Sequence, residues 1–446
     1  MKILCVSLGC DKNLVDTEMM LGLLNRDGHT FTDDENEADI IVVNTCCFIN
    51  DAKEESVNTI LEMAELKKTG KCKALIVTGC MAQRYKQEII DEIPEVDGIL
   101  GTSTYDEISN VLKQALGGEE HVSCFHDLNA LPEVETERII TTGGHYAFLK
   151  IAEGCDKHCT YCIIPSLRGN YRSVPMERLL KEANQLADQG VRELILVAQE
   201  TTLYGVDLYG KKMLPELLHK LAEIPGIYWI RVQYCYPEEI TDELIEAIRT
   251  EEKVCHYLDV PIQHASDRIL KRMGRRTNQA QLREIIGKLR AAVPDIAIRT
   301  TMISGFPGET QEDHEEVMRF VDEMEFERLG VFTYSAEEDT PAATFPDQIP
   351  EEVKEERRDE IMELQQEIAF EKSESMVGRV LDVMIEGKVA DEAAYVGRTY
   401  MDAPNVDGYI FVNSGELFMS GDFVRVKVTG SNDYDLIGEV YDESAE

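Results

Sequence analysis

The sequence predicts an α/β protein in three parts: an N-terminal doubly wound parallel sheet, a central partial (β/α)6 barrel and a small C-terminal antiparallel β-barrel. Three observations predict it. Short apolar, β-branched runs alternate with helical patterns twice over, as βαβ units do. A stretch rich in chain breakers divides the two series. After residue 376 the apolar period drops to two, with glycines between the runs.

Residues 1–117 hold the first series. Ile3–Leu8, Asp39–Val43 and Ala74–Val77 read as buried parallel strands, with helical patterns at Asp16–Leu24 and Lys53–Leu66. Residues 118–143, bordered and broken by Gly117-Gly118, Pro132 and Gly143-Gly144, read as a linker. Residues 144–372 hold the second series. Its candidate strands are Ala147–Ile151, Glu193–Val197, Tyr228–Val232, His256–Val260, Ile296–Met302 and Gly330–Tyr334. Five helical patterns lie between them: Met176–Gln189, Leu214–Ile224, Asp242–Thr250, Asn278–Ala291 and Thr310–Glu323. The working end of such a barrel is the carboxyl ends of its strands. The Glu-rich stretch 350–375 carries Ile361, Leu364 and Ile368 at helical spacing, the pattern of one long helix. Residues 373–446 form the last module, with five basic against fifteen acidic residues, a net charge of −10.

With 446 residues, 43% hydrophobic and 29% charged, the chain has room for about three globular domains. No apolar run approaches the ~20 residues that span a bilayer. MKILCVSLGC runs straight into Asp11, Lys12 and Asn13 without a small-residue cleavage site, so it reads as a first strand rather than a signal peptide. The expectation is a cytoplasmic protein with no membrane partner. There, twelve cysteines point to metal or redox chemistry rather than disulfides. The net charge of −40 disfavours free nucleic acid, whose phosphates need Lys and Arg, and favours a basic protein partner. The same acidity would also serve solubility alone.

The segment Glu153-Gly-Cys155-Asp-Lys-His-Cys159-Thr-Tyr-Cys162 is C-x3-C-x2-C directly after a candidate strand. Three thiolates on one tight loop can hold three irons of a [4Fe–4S] cubane and leave the fourth open. A zinc site would need a fourth ligand near by, and His158 inside the loop is poorly placed for it. This loop and the partial barrel resemble the radical S-adenosylmethionine superfamily. The resemblance implies that Tyr161 packs near the adenine. It also implies a glycine-bearing stretch late in the barrel that accommodates the cofactor, and Gly305 and Gly308 in Ile303–Thr310 match. That stretch is equally a strand-to-helix turn. Gln199 and Glu200 end the second barrel strand, where polar groups can meet the cofactor's amino or ribose groups. Arg168 and Arg172 could meet a carboxylate. Each of these four could equally form a loop salt bridge.

Cys10, Cys46 and Cys80 each end one of the first three strands, in SLGC, VVNTC and VTGC. The carboxyl ends of parallel strands share one edge, so the three thiols converge there and could hold a second cubane. Any single strand-end Cys is commonly packing. Cys47 adjoins Cys46 and is an alternative ligand; Cys46 completes the Asn-Thr-Cys turn. Two clusters with open irons point to sulfur insertion.

With these features in order, the chain resembles the methylthiotransferases, which carry a three-Cys domain, a radical core and a TRAM β-barrel. The resemblance implies two [4Fe–4S] clusters, S-adenosylmethionine used twice, and an external electron donor. Leu8-Gly-Cys10-Asp-Lys12-Asn13-Leu-Val15-Asp16 is similar to the RimO branch, whose substrate is the β-carbon of an aspartate in the twelfth small-subunit ribosomal protein. The MiaB branch, which acts on isopentenyladenosine in tRNA, has a Gln-Met-Asn type of sequence there. An acidic C-terminal module suits a basic ribosomal protein better than RNA. The competing class is a two-cluster electron-transfer protein.

Overall fold

The computed structural model describes residues 1–134 and 137–441. The N-terminal sheet has six parallel strands: β1 Lys2–Ser7, β2 Thr30–Phe31, β3 Ile40–Thr45, β4 Ala74–Gly79, β5 Gly98–Leu100 and β6 Val122–Cys124. Their spatial order is β2-β1-β3-β4-β5-β6. The winding reverses at β1, so a crevice opens at the carboxyl ends of β1 and β3. β3 and β4 are buried along their whole length, as their unbroken Ile/Val runs require. Helices cover both faces. The ones nearest the crevice are α1 Asp11–Arg26, α2 Asn50–Thr69 and α3 Cys80–Glu92.

Residues 118–143 are not wholly a linker. β6 pairs in parallel register with β5, Ile99 opposite Ser123. Gly117 and Gly118 end the helix Ile108–Leu116 rather than the domain. A three-residue edge strand is too short to print a period on the sequence.

The second sheet begins with β7 Tyr146–Lys150. A two-stranded ribbon follows, β8 Ala152–Glu153 with β9 Arg172–Ser173. The barrel continues through β10 Glu193–Val197, β11 Trp229–Val232, β12 Val254–Asp259, β13 Ala297–Ser304 and β14 Arg328–Thr333. The order β14-β13-β12-β11-β10-β7 is all parallel, six strands of a partial barrel with β7 and β14 as its margins. Alternate residues divide the strands. Ala147, Leu149, Leu194 and Leu196 face the helices, while Tyr146, Phe148, Ile195 and Val197 face inward and pack on Val15 of α1.

The C-terminal module is a closed five-stranded barrel: β15 Val380–Lys388, β16 Ala394–Arg398, β17 Ile410–Asn413, β18 Phe423–Asn432 and β19 Asp435–Val440. Four of its pairings are antiparallel; β17 and β19 run parallel and close it. It docks on the amino-terminal end of the central barrel. Arg398, fully buried, bridges Glu386 at 2.6 Å and Glu193 at 2.7 Å. Arg231 pairs with Glu193 at 2.8 Å and donates to the Tyr400 carbonyl. The N-terminal domain closes the opposite end and touches both margins of the open seam. α1 packs against β7. Beyond β14, buried Glu337 pairs with Lys53 of α2 at 2.6 Å, and Tyr85 of α3 donates to Glu338.

Candidate active site

The loop with Cys155, Cys159 and Cys162 leaves the ribbon strand β8 at the carboxyl end of the barrel. Gly154 starts it at φ +78, with its backbone against the next crossing of the chain. A Cβ there would lie 2.1 Å from the Asn170 carbonyl oxygen, so only glycine fits. Cys155 N–H donates to the Gly169 carbonyl, Thr160 N–H to Met273 and Cys162 N–H to Cys159. The Cys159 thiol meets the Tyr236 hydroxyl at 3.7 Å, and Arg275 stacks on the Tyr236 ring. Tyr161 turns its ring edge-on to Phe306, 6.4 Å between centroids. Burial pushes the Cys155 thiol up to about 11 and the Cys162 thiol up to about 12. Metal loading at this loop must therefore displace protons.

Cys10, Cys46 and Cys80 meet at the crevice of the first sheet. Gly9 (φ +85) and Gly79 (φ +94) turn β1 and β4 into helices, so Cys10 caps α1 and Cys80 opens α3. Both thiols thus sit at helix N-termini, and burial nonetheless holds the Cys80 thiol above its usual range. Cys46 lies against Gly9, where a Cβ would come 2.8 Å from its sulfur. The electrostatics of Cys46 include both Cys10 and Cys80. Cys47, the neighbour of Cys46, shares an apolar cluster with Cys80, whose charge also acts on it. It is fully buried among Ile60, Met63 and Val77, and burial outweighs Arg84 to push its thiol up to about 12.

All twelve cysteines are free thiols. Among the described residues no three His, Cys, Asp or Glu side chains surround one ion position. A cubane asks for something different, because each thiolate binds its own iron.

The remaining expected residues divide into two groups. Glu200 stays beside the cysteine loop: Thr202 donates to one oxygen, while its buried Oε2 lies 3.9 Å from the Lys157 ammonium and accepts no hydrogen bond among the described residues. Burial pushes this carboxyl up to about 7. An acceptor with no hydrogen bond there fits a ligand that brings amino or hydroxyl donors. Gln199, by contrast, accepts from Gly154 N–H at 2.9 Å and donates to Glu153, so it clamps the start of the loop. Arg172 donates to the Arg168 and Asn170 carbonyls. Gly305 packs against the Lys354 side chain and Gly308 against the Arg272 guanidinium. Gly305 and Phe306 N–H groups both donate to Glu309.

Arg168 is buried and reaches across domains. It pairs with Asp16 at 2.8 Å and Glu153 at 3.2 Å and donates to the Asn13 side chain. Lys150 joins the same carboxylates, at 2.7 Å from Glu153. Asn13 also donates to the Leu8 and Thr45 carbonyls, and its Oδ1 lies 3.9 Å from the Cys80 sulfur. One polar network therefore links the strand-end thiols to the residue two places before Cys155. Sequence reasoning missed Asn13, Asp16, Lys150 and Glu153. The available signal was four polar residues at the ends of otherwise apolar runs.

Three family models match the chain: the uncharacterized protein family UPF0004 over residues 2–101, the radical SAM superfamily over 149–321 and the TRAM domain over 377–440. Among solved structures, the radical S-adenosylmethionine methyltransferase TsrM from Kitasatospora setae shares the fold at TM-score 0.54 and 13% identity, covering 76% of each chain. The cobalamin-dependent S-adenosylmethionine radical enzyme OxsB does so at TM-score 0.52 and 14% identity, covering 82% of this chain and 56% of that one. Curated relatives are far more similar in sequence. A ribosomal protein uS12 methylthiotransferase RimO from Lachnoclostridium phytofermentans is 67% identical over 98% of this chain and 99% of its own. Its counterpart from Acetivibrio thermocellus is 52% identical over 100% and 99%, and that from Clostridioides difficile 49% over 100% of both. Membership of the radical SAM superfamily brings an iron–sulfur cluster and S-adenosylmethionine as cofactors. With the three modules in this order and such identity from end to end, the chain belongs to the RimO family of radical S-adenosylmethionine methylthiotransferases.

Proposed function

We infer that this enzyme places a methylthio group on the β-carbon of an aspartate in ribosomal protein uS12, the substrate named for its relatives. The observation that carries the reading is the approach of two cysteine trios to one barrel mouth, joined through Asn13 and Arg168. In this reading Cys155, Cys159 and Cys162 hold one [4Fe–4S] cluster, and Cys10, Cys46 and Cys80 hold a second. Cys47 serves the core. The units at work are 1–117, 144–372 and 373–446, with 118–143 connecting the first two. The bound clusters and S-adenosylmethionine supply one-electron cleavage of a carbon–sulfur bond, hydrogen abstraction and sulfur for transfer.

The chain's own residues bind and orient. Tyr161 flanks the adenine, Glu200 accepts from the cofactor's donors, and the backbone at Gly305 and Gly308 lines its far side. Gln199, Arg168 and Arg172 act through the loop, holding its entry and exit. The acidic surface draws in a basic protein, and reducing electrons come from an external donor. Among the described residues no helix is long and apolar enough to cross a membrane.

The test is anaerobic reaction of reconstituted enzyme with uS12, with tRNA in a parallel tube, read by mass analysis. One methylthio group on uS12 is the expected result. Methylthioadenosine in tRNA with unchanged uS12 would replace this substrate with the tRNA one. Absence of 5′-deoxyadenosine in both tubes would favour an electron carrier.

A further inference from the structure

Most buried cations around the two trios are answered by carboxylates: Lys150 by Asp16 and Glu153, Arg168 by the same pair, Lys157 by Glu238 and Glu239. Lys12 is not. It is only 5% exposed, yet it has no ion pair among the described residues. Its ammonium lies 3.4 Å from the centroid of the Tyr234 ring. The neighbouring carboxylate, Asp11, instead accepts from the Tyr234 hydroxyl at 3.2 Å.

The place matters as much as the charge. Lys12 stands in the first turn of α1, two residues after Cys10. Tyr234 stands just beyond β11, and two residues further Tyr236 touches Cys159. Tyr234 also packs on the inward-facing cluster of Phe148, Ile195 and Val197. The ammonium therefore points into the mouth of the barrel, between the strand-end thiols and the cysteine loop. No carboxylate forms an ion pair with this ammonium among the described residues; the Tyr234 ring and the nearby Cys10 and Asp11 side chains are what favour its charge, and an aromatic face offsets only part of the cost of burial. An entering carboxylate would complete the site.

We propose that Lys12 Nζ, set by Tyr234, binds the side-chain carboxylate of the substrate aspartate. The carbon next to that carboxylate is then held at the barrel mouth between the two sets of thiols. Lys12 discriminates an acidic residue from a neutral base or amide. This inference rests on the protein-substrate reading above.

The test uses reconstituted holoenzyme with two peptides spanning the target site of uS12, one with the natural aspartate and one with asparagine in its place. Affinity and turnover are measured for each. The wild type is expected to bind the aspartate peptide on the order of 30-fold more tightly. Lys12→Met should raise KM for the aspartate peptide by a similar factor and erase the preference; Lys12→Arg should restore part of it. Iron content is measured for each variant. If Lys12→Met loses iron, the wild-type preference decides alone, and equal affinity for the two peptides overturns the proposal. An unchanged KM in an iron-replete Lys12→Met variant also overturns it. If the wild type modifies neither peptide nor intact uS12, the substrate reading fails instead.

Discussion

The two cysteine trios reach similar ends by opposite routes. Cys155, Cys159 and Cys162 lie on one loop, fixed by short-range backbone hydrogen bonds and by Gly154 pressed against the Asn170 carbonyl. Cys10, Cys46 and Cys80 share no local segment. They meet only because β1, β3 and β4 are parallel neighbours in register, Val43 opposite both Val6 and Val77. The first set depends on a turn, the second on a sheet. A local set survives disturbance elsewhere; a topological one is only as sound as its whole domain.

The sharpest break between them should come from the ligands. Cys159→Ala is expected to reduce 5′-deoxyadenosine formation to background while iron at the strand-end trio remains. Cys46→Ala should keep 5′-deoxyadenosine formation and lose methylthio transfer. Iron analysis and chromatography of both products check this, and loss of iron at both sites in either variant would deny that the trios are separable. Asp16→Asn should have the next largest effect, because it removes a carboxylate facing both Lys150 and Arg168. Losing one partner of a buried pair costs about 3–5 kcal/mol, and Glu153 remains to offset part of it. Denaturant unfolding should show the strand-end region loosened more than the cysteine loop.

The smallest effect concerns the far end of the barrel, where neither trio lies. Burial pushes the Glu193 carboxyl up, but Arg398 and Arg231 outweigh it and hold it below its usual range. Glu386 is likewise lowered: burial opposes the shift, while His145 and Arg398 outweigh it. A carboxylate whose folded pKa is depressed stabilises the fold above its unfolded pKa. That stability is lost as pH falls from about 4.5 through the lower folded value. Docking of the C-terminal barrel should weaken in that window. Glu193→Gln should remove most of the dependence, as followed by Trp229 fluorescence at the interface with Phe423.

The same comparison explains what the sequence made legible. The cysteine loop is written in eight consecutive residues, so its spacing could be read directly. The strand-end trio was legible by one further step, because each strand carries its own apolar run and parallel strands share an edge. The role of Arg168 was not, since its partner Asp16 is 152 positions away and nothing local distinguishes the pair from a surface salt bridge. Gln199 had the right address at a strand end, yet its amide is taken up by Gly154 and Glu153. β6 escaped because an edge strand of three residues prints no alternation. The C-terminal barrel was readable from its period, but its parallel closure between β17 and β19 depends on chain crossing that a period cannot carry.

The N-terminal domain grips both margins of the open seam, through α1 on β7 and through Lys53 and Tyr85 on the segment after β14. In mechanical terms it is a beam supported at both ends, not a cantilever on a hinge. Swinging it aside would first strip Glu337, 2% exposed, of its cation and leave a bare charge in a dry place. The gap between the trios is therefore set by the frame, and a substrate has to enter it without the domain swinging aside.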